Sequence, residues 1–163
     1  MLPRQVRRGV TLAVDIPGRE RLELQFLLLD VNGTLSDRGT LLDGVAERLH
    51  AIRGILEPRL LSADTFATLA SIAEQLMLPA QLAASAEEKL VVLHELGASR
   101  CVAIGNGSND AGMLAEAALG IAVVGPEGAS AAALAAADIV CRSVLEALEL
   151  LDEPRALAAT LRR

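Results

Sequence analysis

Val10, Leu12, Val14 and Ile16 alternate with Thr11, Ala13 and Asp15. After Pro17-Gly18 the same period resumes, with Leu22, Leu24 and Phe26 set against Glu23 and Gln25. A period of two on either side of a turn dipeptide predicts a β-hairpin with one apolar and one polar face. The alternation stops at Phe26-Leu27-Leu28-Leu29. A continuous apolar run of this length predicts a strand covered on both faces, as in a parallel sheet. It ends at Asp30, and a polar, glycine-containing loop extends from Val31 to about Gly44.

Beyond that loop the pattern switches repeatedly between helical and strand periods. Val45, Leu49, Ile52 and Leu56 share a helical face, and Arg59–Ser62 reads as a strand. Thr65–Leu76 reads as a helix behind an N-cap at Asp64, and Ala80–Ala84 as a short strand. Ser85-Ala86-Glu87-Glu88 is a capping box that opens a helix running to Gly97. Strands are then expected at Cys101–Ile104, Ile121–Val124 and Ile139–Cys141. Helices are expected at Asp110–Ala118, Ala129–Ala136, Ser143–Leu151 and Pro154–Arg163. Strand–helix alternation of this kind specifies an α/β fold: a mainly parallel, Rossmann-like sheet with helices on both faces, preceded by the hairpin. Without an internal repeat or a linker, residues 1–163 read as one domain.

Composition narrows the function. Of the 163 residues, 52% are hydrophobic but only 1% aromatic, with no Trp or Tyr, so stacking on bases is a poor binding mode. Fifteen basic against 21 acidic residues give a net charge of −6, which opposes binding to nucleic acid or an anionic membrane. Cys101 and Cys141 lack metal-ligand spacing and read as reduced core residues of a cytoplasmic protein. Arg4, Arg7 and Arg8 are not followed by the apolar segment of a secretory signal, and no stretch approaches the length of a membrane span.

In open α/β sheets ligands bind beyond the carboxyl ends of the strands. The polar residues there are Asp30-Val31-Asn32-Gly33-Thr34 after the first buried strand and Ser62 after the second. Lys89 lies on the helix after the third, and Gly105-Asn106-Gly107-Ser108-Asn109-Asp110 follows the fourth. Taken singly each has an ordinary explanation. Asp30 is a loop carboxylate, Gly33 a turn residue, Ser62 a capping hydroxyl, Lys89 a solvated helix residue, and Asp110 an acid at a helix start. His50 and His94 sit inside helices without ligand-spaced partners and read as structural. Together, on one sheet edge, the set holds a nucleophile, phosphoryl-oxygen donors, a cation and hard oxygen ligands, which is what phosphoryl transfer through an aspartate requires.

In order and spacing these residues resemble the haloacid dehalogenase superfamily of phosphohydrolases and P-type ATPases. The resemblance spans about Leu24 to Cys141. Its Asp-x-Asp/Thr-Gly-Thr motif is matched by Asp30–Thr34, its Ser/Thr by Ser62, its Lys by Lys89, and its Gly-Asp-Gly-x-Asn-Asp motif by Gly105–Asp110. The last motif, with Ala111-Gly112-Met113-Leu114 after it, looks like that of the ion-pumping ATPases. The chain therefore resembles their small soluble, capless relatives. The resemblance implies Asp30 as nucleophile and Mg²⁺ held by Asp30, the Asn32 carbonyl and Asn106, with Asp110 direct or through water. It also implies that Ser62, Asn32 and Gly33 hold phosphoryl oxygens and that Lys89 neutralises charge.

Two positions depart from the family pattern. Asn32 stands where phosphatases carry the aspartate that protonates the leaving group and later activates water. Asn106 stands where a Mg²⁺-binding aspartate is usual, and an amide oxygen is a legal but uncharged ligand. A slow, Mg²⁺-dependent phosphohydrolase is therefore expected, with a small-molecule or macromolecular phosphorylated substrate. The alternative is a degenerate domain that binds and regulates a phosphorylated partner. A signalling receiver domain fits less well, because no acidic pair precedes Asp30 at an earlier strand end. The missing cap predicts an open site, and the hairpin Val10–Leu24 is the expected contact of a homo-oligomer that shelters it.

Overall fold

The computed structural model describes residues 9–64 and 67–163. The hairpin strands are β1 (Leu12–Val14) and β2 (Leu22–Leu24), paired antiparallel with Leu12 opposite Leu24. Then come β3 (Phe26–Asp30), the two-residue strands β4 (Ser36–Asp37) and β5 (Thr40–Leu41), α1 (Val45–Ile52), β6 (Glu57–Ser62), α2 (Leu69–Leu76) and β7 (Ala80–Leu82). The second half contains α3 (Ala86–Leu96), β8 (Cys101–Gly105), α4 (Ala111–Glu116), β9 (Leu119–Val123), α5 (Ala131–Ala136), β10 (Ile139–Cys141), α6 (Val144–Leu151) and α7 (Pro154–Leu161).

Six strands form one sheet in the order β10-β9-β8-β3-β6-β7, every neighbouring pair parallel. The chain leaves β3 toward β6 and β7, then returns to the other side of β3 with β8. The reversal places a crevice between the carboxyl ends of β3 and β8, where ligands of such sheets sit. All five residues of β3 are buried, as its uninterrupted apolar run predicts. Leu27 and Leu29 join Leu60, Val102 and Ile104 in the core beneath α1, α2, α6 and α7. Phe26 and Leu28 face the opposite core, with Val92 and Leu93 of α3, Met113 and Leu114 of α4 and Ala133 of α5. Small residues let that second layer sit close: a Cβ on Gly120 would lie 2.0 Å from the Leu114 carbonyl oxygen.

Two expectations need correction. First, the loop after Asp30 is not structureless, since β4 and β5 pair as a small hairpin that projects beside the carboxyl end of β3. Second, α2 begins at Leu69, and Asp64 is not its N-cap. Asp64 is held in the left-handed region (φ 54°), and its Oδ1 accepts from the Leu69 N–H at 2.8 Å, reaching the helix start across the loop. Of the other residues assigned to that helix, Ala67 is left-handed (φ 52°) and Thr68 is the N-cap, and Thr65 and Phe66 lie outside the described residues. The apolar face of the N-terminal hairpin packs within the chain: Leu12, Val14, Ile16 and Leu24 are buried in one core with Leu157 and Leu161 of α7. Exposed large apolar side chains occur at Met77, Leu82, Val91, Val124, Leu134 and Val140. Among the described residues no domain is inserted between β3 and β6 or between β6 and α3, and no helix is long and apolar enough to cross a membrane.

Candidate active site

Asp30 is the last residue of β3, and the two strands beside it hold it at the centre of the sheet edge. Its side chain is only 7% exposed. Each oxygen has one donor: Lys89 Nζ lies 2.9 Å from Oδ1, and the Thr34 hydroxyl donates to Oδ2 at 3.0 Å. Thr34 reaches back because the chain turns tightly after Val31, whose carbonyl accepts from the N–H groups of Thr34, Leu35 and Ser36.

Lys89 is fully buried, although lysine is seldom buried unless paired. The Ser85 hydroxyl caps α3 through the Glu88 N–H, and Glu88 accepts in return from the Ala84 N–H. So anchored, α3 delivers Lys89 between Asp30 and Asp110, with Nζ 2.6 Å from Asp110 Oδ1. Asp110 Oδ2 accepts from the Asn106 and Gly107 N–H groups at 3.0 and 2.9 Å, folding the Gly105–Asp110 loop around its carboxylate. Gly105 permits this closeness, because a Cβ there would meet Asp110 Cγ at 2.5 Å. Both Asp110 oxygens are thus committed inside the protein, one to Lys89 and the other to the two loop N–H groups.

The remaining sequence-selected residues lie on the adjoining strand ends and loops. The Asn32 amide donates to Ser62 Oγ at 3.4 Å, and the same oxygen accepts from the Asp64 N–H at 2.8 Å. Gly33 adopts φ 77°, and a side chain there would collide with the Asn106 amide at 2.5 Å. Asn106 Nδ2 donates to the Gly128 carbonyl at 3.0 Å, which turns its Oδ1 toward Thr34, 3.2 Å from the hydroxyl oxygen. The structure therefore brings Asp30, Asn32, Gly33, Ser62, Lys89, Asn106 and Asp110 to one sheet edge. The residue types did not disclose the parts played by Thr34, which was visible only as the end of a motif, or by the segment Gly125–Ser130, whose backbone positions Asn106. His94, read as structural, pairs through its ring with Glu116 of α4.

Two carboxylates share one ammonium in this cluster. Burial first, and then the charge of Asp110, push the Asp30 carboxyl up to about 7, against the opposing pull of Lys89. Burial by itself would lower the Lys89 pKa, but the charges of Asp30 and Asp110 outweigh it, and the ammonium is held above its ordinary value. Thr34 has one hydroxyl proton for two facing oxygens, Asp30 Oδ2 and Asn106 Oδ1. One negative charge and one oxygen lone pair are thus left over at the same place. The oxygens facing Thr34, from a carboxylate and an amide, suit a hard divalent cation. No group of three or more His, Cys, Asp or Glu side chains placed to hold a metal ion occurs among the described residues.

The family profile of haloacid dehalogenase-like hydrolases matches residues 83–147, from the approach to α3 through Lys89 and the Asp110 loop into α6. An uncharacterized protein of Methanocaldococcus jannaschii is 42% identical over 78 residues, covering 45% of this chain and 84% of that protein. The chain belongs to the haloacid dehalogenase-like hydrolases. Its fold is similar to that of other hydrolases of solved structure. One is the cobalt-bound deoxy-D-mannose-octulosonate 8-phosphate phosphatase of Haemophilus influenzae, with a TM-score of 0.65 and 16% identity over 83% of this chain and 91% of that one. Another is the 3-deoxy-D-manno-octulosonate 8-phosphate phosphatase of Moraxella catarrhalis, in complex with magnesium, phosphate and the sugar acid. It has a TM-score of 0.62 and 21% identity over 83% of this chain and 90% of that one.

Proposed function

We propose that this hydrolase is a Mg²⁺-dependent phosphohydrolase that works through an aspartyl-phosphate at Asp30. The observation that carries the reading is the Asp30 carboxylate itself. It sits at the carboxyl end of the central strand, with Lys89 on one oxygen and Thr34 on the other, facing the Asn32 and Ser62 donors. Mg²⁺ would be held by Asp30, the Asn32 carbonyl and Asn106, and when bound it supplies Lewis-acid stabilisation of phosphoryl charge. Asp30 attacks phosphorus in line. Ser62 and the side-chain and backbone N–H groups of Asn32 hold the phosphoryl oxygens, the Gly33 N–H being bonded to the Ser36 carbonyl, and Lys89 balances the charge of the Asp30–phosphoryl adduct. Asp110 is a positioning residue that fixes Lys89 and the Asn106 loop.

The assay is hydrolysis of p-nitrophenyl phosphate, whose leaving group needs no proton. Wild-type protein should turn it over with Mg²⁺ and stop in EDTA, and Asp30→Asn should be inactive in both. Equal rates in wild type and Asp30→Asn would remove Asp30 from the chemistry. The amide at Asn32 supports a second reading, a domain that binds phosphorylated partners without turnover. That reading requires wild type and Asp30→Asn to be equally inactive.

A further inference from the structure

The Asp30 site has a nucleophile but no proton carrier. Residue 32 is an amide whose N–H₂ is turned to Ser62 Oγ. Lys89 and Asp110 are fully buried and bonded to each other. Carboxylates on the loops that follow the strands are engaged elsewhere: Asp64 accepts from the Leu69 N–H, Asp37 pairs with Arg38, and Glu127 accepts from the Arg38 N–H. His94 is held by Glu116 between α3 and α4. The residues outside the described ones, 1–8 and 65–66, include no Asp, Glu, His, Lys, Cys or Tyr.

This absence selects the substrate. When an Asp30 oxygen bonds to phosphorus, the bond from phosphorus to the leaving oxygen breaks, and the electron pair departs with that oxygen. An alkoxide must be protonated as it leaves, and nothing here can do it. A carboxylate, whose acid has a pKa of about 4, leaves as the stable anion. The energetics point the same way. The product at Asp30 is a mixed carboxylic–phosphoric anhydride, so an acyl phosphate donor exchanges one such bond for another, whereas a phosphate ester must climb to it. The second half-reaction lacks a base to deprotonate water, and the carboxylate that would carry the phosphoryl group is only 7% exposed.

On this basis, and given the phosphohydrolase reading above, we infer that the phosphodonors of this site are acyl phosphates and that phosphorylated Asp30 is its resting state in their presence. The atoms balance. R–CO–O–PO₃²⁻ and the Asp30 carboxylate give R–COO⁻ and Asp30–CO–O–PO₃²⁻, with no proton gained or lost, and water later returns Asp30 and inorganic phosphate.

The test incubates wild-type protein and Mg²⁺ with acetyl phosphate or with glycerol 1-phosphate, following phosphate release and intact mass together. Acetyl phosphate should produce a one-phosphoryl adduct that persists at steady state and is absent from Asp30→Asn, whereas glycerol 1-phosphate should produce neither adduct nor turnover. In Asn32→Asp the preference for acyl over alkyl phosphate should narrow by about 10²–10⁴-fold, the usual range of general acid–base help, and the adduct should decay faster. The wild-type arms decide by themselves if that variant does not fold. Glycerol 1-phosphate consumed as fast as acetyl phosphate, or acetyl phosphate consumed without an adduct, overturns this inference and leaves the phosphohydrolase standing. No adduct and no turnover with either donor, or with p-nitrophenyl phosphate, overturns both.

Discussion

At Asp30 each carboxylate oxygen has a single donor, whereas Asp110 takes three hydrogen bonds, from Lys89 and two backbone N–H groups. The same side chain therefore has opposite consequences when its charge is removed. Asp110→Asn sets an amide against donors it cannot satisfy and leaves Lys89 with Asp30 alone; a loss of about 3–5 kcal/mol is expected, as for other broken buried pairs. Asp30→Asn keeps the Lys89–Asp110 pair and removes the uncompensated charge. The sign with pH follows. A carboxyl raised to about 7 in the folded protein keeps a proton that the unfolded chain has already released. The stability linked to it is full below the unfolded value and is lost as pH rises through about 7. Thermal melts in EDTA from pH 5 to pH 8 should show wild type losing stability that Asp30→Asn retains, and parallel curves would contradict the burial of that charge. Asn106→Asp should cross over. It forfeits the hydrogen bond to the Gly128 carbonyl and sets an oxygen against it, costing about 1–3 kcal/mol without metal, yet it adds a charged ligand. A lower melting point in EDTA and a larger upward shift with Mg²⁺ than wild type is the expected pair of results in calorimetry.

Elements were legible in the sequence wherever burial imposed a period. β3 announced itself by four consecutive apolar residues and α3 by the capping box at Ser85, which caps its helix as expected; Ser143, read as the first residue of a helix, is the N-cap of α6. β4 and β5 were not legible, because strands of two residues carry no period. Asp64 misled because its residue type suits an N-cap while its backbone is left-handed. The same limit applies to the site. Asp30, Lys89 and Asp110 could be found as residue types at strand ends, but the Gly128 carbonyl that aims Asn106 is a backbone atom 22 residues away. Close packing of α4 is likewise written only as a missing side chain. Gly120→Ala would drive a methyl into the Leu114 carbonyl, backbone against backbone. It should cost about 3 kcal/mol, at the upper end of overpacking, measured by urea unfolding. A change under about 0.5 kcal/mol, the range of an ordinary surface substitution, would show that the layer is looser than described.

Across the whole molecule, the chain reversal about β3 brings residues from Asp30 to Asp110 to one crevice, and both cores serve to keep β3 and β8 fixed beneath it. A fold of this kind supports many chemistries, so the function rests on the covalent bond that Asp30 is said to form. Borohydride reduces an acyl phosphate to an alcohol and leaves a free carboxylate alone. The decisive measurement is therefore borohydride trapping of Mg²⁺-loaded protein during turnover, followed by peptide mass spectrometry. The account predicts homoserine at position 30, in the peptide carrying Phe26–Asp30, and nowhere else. Reduction at Asp110 or at another carboxylate, or turnover with no reduced residue at all, would contradict it.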